Sequence, residues 1–265
     1  MLTLVRRSCA RVAAVFTAVA AVLMGFQLVL IAVASSLTTS NSFEQLKHVT
    51  LPRFILHSVG LGQMTFAGAT TFGYYDPLVT MMLVQFAVYV GSEPAGEVET
   101  SLVDLVMARP IGRAHLVTRS ILVVTAVILG LTLAMIVGTV AGLLLLTPAG
   151  AEWPAPGMIG RLALHLVTLA WAFGCATLAV AAWARRRGAA QASVAVAAIA
   201  LYFVDMVGES WERARPLARL FPFHYYHGPA IVNGQASTAL DVSIFTAIGA
   251  GAIVMAYWQF RRRDL

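Results

Sequence analysis

One stretch of this 265-residue chain combines charged and apolar side chains in a pattern that differs from a merely polar connecting loop. Acidic residues come first, arginines come last, and three apolar residues share one helical face between them. The pattern predicts a short amphipathic helix that lies against the cytoplasmic face of the membrane. The residues concerned are Glu97, Leu102, Asp104, Leu105, Val106, Arg109 and Arg113. Pro110 fits the first turn of the helix that follows, where no backbone N–H is needed.

Two histidines, His224 and His227, stand three residues apart and raise the question of a metal site. A transition metal at such a pair normally takes a carboxylate or cysteine as well. The same stretch of sequence supplies neither, and it is rich in aromatic residues. The sequence therefore favours aromatic anchors at a membrane interface and predicts no metal site.

Three polar residues in or near apolar stretches, Gln85, Asp205 and Glu209, are candidates for a substrate path. Acids within a membrane segment are functional candidates by default. Asp205 and Glu209, four residues apart, also fit ordinary residues at a helix end. For Gln85 and for His165, hydrogen bonds between helices are the favoured interpretation.

Motifs of catalysis do not occur in the sequence. There is no Gly-x-Ser-x-Gly nucleophile turn, no His-Glu-x-x-His zinc motif and no Gly-x-x-x-x-Gly-Lys-Ser/Thr phosphate loop. We therefore expect a non-catalytic chain that binds no cofactor of its own.

Composition indicates the elements that must position these residues. The chain is 59% hydrophobic and 11% charged, against about 45–50% and about 25% in soluble domains. About 20 apolar residues span a bilayer as a helix, and six segments qualify: 12–34, 72–91, 116–146, 162–183, 189–208 and 240–260. The prediction is a single all-α membrane domain over residues 1–265. Asp76–Pro77 interrupts the second span, and Gly138 and Gly142 predict a close helix contact on the third.

Basic residues predict the orientation of these spans. Twelve of the 18 Lys+Arg residues fall in segments on the side of the N-terminus and six on the other, which places both termini in the cytoplasm. The net charge of +6 fits contact with anionic headgroups and does not indicate nucleic-acid binding. On the outer side, 45–60 is predicted to form interfacial helices. Five aromatic residues are predicted to form an interfacial belt there: Trp211, Phe221, Phe223, Tyr225 and Tyr226.

The stretch Val103–Arg113 resembles the segment after the second span in permease subunits of type-2 ABC transporters, the exporter class. In that family an acidic residue and a Gly-Thr-Leu-Glu-like run precede Leu-Leu-Ala-Arg-Pro-Val-Ser-Arg. Two further stretches agree, Leu220–Tyr226 and Phe260–Leu265. Ser101 departs from the pattern, because the family usually has glycine there.

The resemblance implies that 97–113 is a coupling segment that docks on a separate ATP-binding subunit. It also implies a second permease copy, identical or related, with ATP and Mg²⁺ held by the partner subunit. The cargo would be a hydrophobic or amphipathic molecule, and the location the inner membrane of a bacterium or archaeon. Two other readings of the sequence stay open: a secondary transporter, and a scaffold that transmits force across the membrane without transport.

Overall fold

The computed structural model describes residues 2–40, 65–100, 113–211 and 213–262, with side chains from residue 10 in the first range and from residue 115 in the third. Within these ranges the regular structure is helical and includes no strand, which confirms the predicted all-α class. The helices are α1 (Leu2–Thr39), α2 (Phe66–Thr71), α3 (Pro77–Gly91), α4 (Glu93–Glu99), α5 (Arg113–Leu146), α6 (Pro156–Trp183), α7 (Arg187–Ser210), α8 (Arg215–Ala218), α9 (Gly228–Val232) and α10 (Thr238–Arg262). Short 3₁₀ turns lie at Phe72–Tyr74 and Pro222–Tyr225.

Within the described residues, six stretches of helix are long and apolar enough to cross a membrane, and each contains one of the six predicted spans. They are Ala10–Thr39, Phe66–Glu99, His115–Leu146, Pro156–Trp183, Arg187–Ser210 and Thr238–Arg262. By the length and composition of these helices the chain is a multi-pass membrane protein. The predicted interfacial helices at 45–60 lie outside the described residues.

The second span is broken where the sequence predicts an interruption. After α2 and a 3₁₀ turn, the chain starts again as α3 with Pro77 in its first turn. The carboxylate of Asp76 caps this start, since its Oδ1 accepts hydrogen bonds from the backbone N–H groups of Leu78 and Val79 at 2.9 and 3.1 Å. A buried acid in an apolar span is thus explained by orphan amides that need an acceptor.

Helix α6 lies at the centre of the bundle and packs against α3, α5, α7 and α10. Its approach to α3 requires glycine. A Cβ atom on Gly91 would lie 2.4 Å from the carbonyl oxygen of Gly174, a backbone atom that cannot rotate away. The two helices are therefore in backbone contact at this crossing.

Replacing Gly91 with alanine should destabilise the protein by about 3 kcal/mol, because the two helices must separate to admit the methyl group. Gly160→Ala is the matched control: this α6 glycine has no neighbour within 4 Å of the added Cβ among the described residues. The control should be neutral or gain up to about 1 kcal/mol from helix propensity. Thermal unfolding in detergent measures both, and equal midpoints for the two variants would contradict the close approach.

The glycine pair on the third span has the packing role that the sequence predicts, and the structure identifies its partner as α1. An added Cβ on Gly138 would lie 3.0 Å from Cα of Met24, and one on Gly142 would lie 2.6 Å from Cδ1 of Ile31. Helices α1 and α5 consequently pack closely along their length.

The predicted aromatic belt is only partly correct. Phe223 is 2% exposed and packs on the rings of Phe173 and Tyr202. The hydroxyl of Tyr226 donates a hydrogen bond to the carbonyl of Tyr74. The side chains of Phe223 and Tyr226 pack inside the bundle because their rings fill space between helices. Trp211, by contrast, remains 57% exposed.

The bundle has two chemically different ends. We call one the arginine-rich end; it carries α4, the side chains Arg11 and Arg119, and Arg187 at the start of α7. The other, the histidine end, carries the end of α7 and the segment 222–228.

Candidate functional site

At the arginine-rich end, a buried ion pair joins α4 to α5. Both guanidinium NH₂ groups of Arg119 donate to the carboxylate of Glu97, at 3.0 and 2.8 Å. Arg119 is 2% exposed and Glu97 is 7% exposed. Bidentate, charge-assisted bonds of this kind fix geometry as well as charge. Arg11 on α1 lies farther from Glu97, at 3.7 Å, and is partly exposed.

Helix α4 is short, yet it is held on several sides. Pro94 lies in its first turn, and its buried face consists of Glu93, Pro94, Ala95 and Glu97. Arg11 contacts Glu93 at 3.7 Å. Because seven residues cannot form a stable helix alone, these contacts and the ion pair with Arg119 determine its position.

Arg187 connects the same helix to α7. Its backbone N–H donates to the carboxylate of Glu99 at 2.9 Å. Its guanidinium donates to the hydroxyl of Ser92 at 3.2 Å and to the carbonyl of Tyr89 at 3.1 Å. The same group stacks over the Tyr89 ring, with Cζ 4.6 Å from the ring centroid. Helix α4 is thus bound to α1, α5 and α7.

A cleft of about 310 Å³ lies beside this network. Acidic and basic groups line it together with Tyr89, Gly96 and Thr100, and its charged members are Arg11, Glu93, Glu97, Glu99 and Arg187. Both oxygens of the buried Glu93 carboxylate lack a hydrogen-bond partner among the described residues. The cleft therefore combines both signs of charge at the point where the chain leaves α4.

The predicted coupling residues are placed only in part. Glu97 lies in the ion pair with Arg119, so its side chain holds α4 in the bundle. Arg113 begins α5, but its side chain is not described. The others lie outside the described residues: Leu102, Asp104, Leu105, Val106, Arg109 and Pro110.

The three residues of the predicted substrate path do not come together as one group. The amide of Gln85 donates to the carbonyl of Ala195 on α7 at 3.4 Å, the helix-to-helix hydrogen bond that the sequence favours. Asp205 lies ten residues farther along α7, about 15 Å away. His165 likewise bonds between helices, with Nε2 3.2 Å from Oδ2 of Asp241 on α10.

At the histidine end, the fold brings Asp205 and Glu209 to the two histidines. One carboxylate oxygen of Asp205 and one ring nitrogen each of His224 and His227 lie within 4.8 Å of one another. Nδ1 of His224 lies 3.5 Å from Oδ1 of Asp205, and Nε2 of His227 lies 2.7 Å from Oε1 of Glu209. The carboxylates that the local sequence lacks are thus supplied from α7.

The two histidines have opposite pKa shifts because their neighbours differ. Burial lowers the pKa of His224 below its ordinary value, and positive charge on His227 and Arg219 lowers it further. Burial also acts to lower the pKa of His227. There, however, the hydrogen bond to Glu209 and the charge of Asp205 outweigh burial and raise the pKa.

Sequence reasoning missed the pairing of Glu97 with Arg119 and the meeting of the histidines with the two acids. One signal for the second was present. The spacing of Asp205 and Glu209 puts two carboxylates on one side of a helix, and the spacing of His224 and His227 puts two imidazoles on one side of a turn. No family model matches this chain, and no curated protein or solved structure matches it either.

Proposed function

We propose that this chain is the membrane-spanning permease half of an ATP-driven exporter of the type-2 ABC class. The observation that carries the proposal is the buried ion pair between Glu97 and Arg119. It binds α4, the helix that leads into the predicted coupling segment, to the long helix that follows that segment. A force applied between residues 100 and 113 would therefore reach the spans from both sides.

The ion pair suits force transmission because separating its two buried charges costs free energy. Separating Glu97 from Arg119 would remove the bidentate partner of two buried charges, at a cost of about 3–5 kcal/mol. A displacement of α4 consequently moves α5, and through Arg187 it also moves α7. Movement of a partner on the coupling segment would in this way shift three spans together.

The energy for this movement comes from a separate ATP-binding subunit, which holds ATP and Mg²⁺. Function requires a second permease copy, identical or related, so that two coupling segments act on one passage. The arginine-rich end faces the cytoplasm, with both termini on that side of the inner membrane of a bacterium or archaeon. The cargo is a hydrophobic or amphipathic molecule, in keeping with the few charges inside the spans.

The test is purification of the tagged chain from its native membrane, followed by quantitative mass spectrometry and reconstitution. We expect an ATP-binding-cassette subunit at a one-to-one ratio with the chain and ATP turnover in proteoliposomes that requires both. Transport driven by an ion gradient without such a subunit would support a secondary transporter. A stoichiometric partner with no ATP turnover would support a scaffold.

A further inference from the structure

We propose that Asp205, His224 and His227 form a binding site for a divalent transition-metal ion, with Zn²⁺ as the expected occupant. The site lies at the histidine end, away from the predicted coupling segment. It is therefore independent of the proposed permease function.

The donor set selects the class of ion. Two imidazoles and a carboxylate are the ligands that Zn²⁺ takes in sites with an open position, whereas Ca²⁺ and Mg²⁺ prefer oxygen ligands alone. Glu209 adds a second carboxylate 2.7 Å from Nε2 of His227. This carboxylate can orient the His227 ring, as partners of metal-bound histidines do.

The distances need little adjustment to accept an ion. Ligand atoms around tetrahedral zinc lie about 3.3–3.5 Å apart, given bonds of about 2.0–2.2 Å. Nδ1 of His224 and Oδ1 of Asp205 are already 3.5 Å apart. The three candidate ligand atoms all lie within 4.8 Å of one another. Rotation about side-chain bonds would bring them to the shorter spacing that zinc requires.

The carboxylate of Asp205 independently points to a ligand. Asp205 is 8% exposed, and its Oδ1 has no hydrogen-bond partner within the part of the chain that the structure describes. A buried carboxylate oxygen without a donor is costly. This oxygen faces His224, and a bound cation would satisfy it.

The site is open to an ion from solution and joins two parts of the bundle. The side chains of His224 and His227 are 26% and 28% exposed. Asp205 belongs to α7, whereas the histidines belong to the segment 222–228, which packs on α6 through Phe223. A bound ion would therefore fix the end of α7 to this segment.

Cobalt spectroscopy on the full chain in detergent tests the site directly. After removal of metals with EDTA, Co²⁺ titration should give d–d absorption that saturates at one equivalent, and Zn²⁺ should displace it. Asp205→Asn and His224→Ala should weaken binding by more than about 100-fold, beyond the effect of losing an outer-shell partner. His115→Ala removes an exposed histidine from α5 and should bind as the wild type does.

A second measurement needs no variant, so a failure to fold cannot obscure the answer. In the wild-type protein, Zn²⁺ should protect His224 and His227 from diethylpyrocarbonate, as read by mass spectrometry of the modified peptides, while His115 stays reactive. The proposal is overturned if the wild type binds no Co²⁺ or Zn²⁺ at micromolar concentration. It is also overturned if all variants bind equally, or if protection is the same at all three histidines.

Discussion

Replacing Arg119 with methionine should lower the free energy of unfolding by about 3–5 kcal/mol, the range found when one member of a buried ion pair is removed. The carboxylate of Glu97 would remain buried at 7% exposure without its bidentate donor. Arg11 lies 3.7 Å from the same carboxylate with a partly exposed side chain, so it would replace only part of that interaction. Methionine keeps much of the volume, so lost packing adds little. Reversible unfolding in mixed micelles measures the change.

The double variant Glu97→Gln/Arg119→Met separates an unpaired charge from lost packing. Removing both charges should recover most of the stability, because a neutral pair has no ion left to desolvate. Glu99→Gln is the matched control on the same helix, where the carboxylate is exposed and should contribute about 1 kcal/mol or less. Equal losses in Arg119→Met and Glu99→Gln would contradict a buried ion pair.

The same double variant also tests the proposed mechanism. If the ion pair transmits force, the stable double variant should bind the ATP-binding subunit but show reduced transport-linked ATP turnover. A structural role alone would restore turnover together with stability. Comparing the two readouts at equal protein levels therefore distinguishes a bond that carries motion from one that only stabilises the bundle.

The spans were predictable because their signal is local. A run of about 20 apolar residues is sufficient to specify a membrane helix, and Gly138 with Gly142 indicates a close contact from spacing alone. The break at Asp76–Pro77 is also local, since the acid caps the helix that the proline begins. Each of these features depends on residues that are neighbours in the sequence.

The two polar clusters were not predictable in the same way. Glu97 and Arg119 are separated by 22 positions, and Asp205 and His224 by 19. Contact within each pair depends on how α4 packs against α5 and on where the segment after α7 packs against the bundle. Contacts made by tertiary packing produce no periodic pattern in the sequence. The sequence around His224 and His227 therefore favours interface anchors, whereas the fold places Asp205 beside them.

Replacing Leu105 with aspartate should disconnect the chain from the proposed ATP-binding subunit while leaving the spans folded. Leu105 lies outside the described residues, and its role is inferred from the helical spacing of Leu102, Leu105 and Val106 and from the resemblance. A charge placed in the apolar groove of a partner costs about 3 kcal/mol or more, which corresponds to about 100-fold weaker binding. Co-purification of the subunit and ATP turnover in proteoliposomes measure the loss.

Leu105→Met is the matched control, because a substitution that conserves volume and polarity should keep both binding and turnover near wild type. Arg113→Ala is less informative, since an arginine there could act on the partner or on lipid headgroups. Co-purification of the subunit reads partner binding directly, and Leu105→Met keeps the apolar contact that a protein groove and the lipid interface would both use. If Leu105→Asp binds and stimulates the subunit as the wild type does, the segment 97–113 is not the coupling element. The ion pair between Glu97 and Arg119 would then be the remaining support for the proposed function, and the chain would lack a docking surface for the ATP-binding subunit.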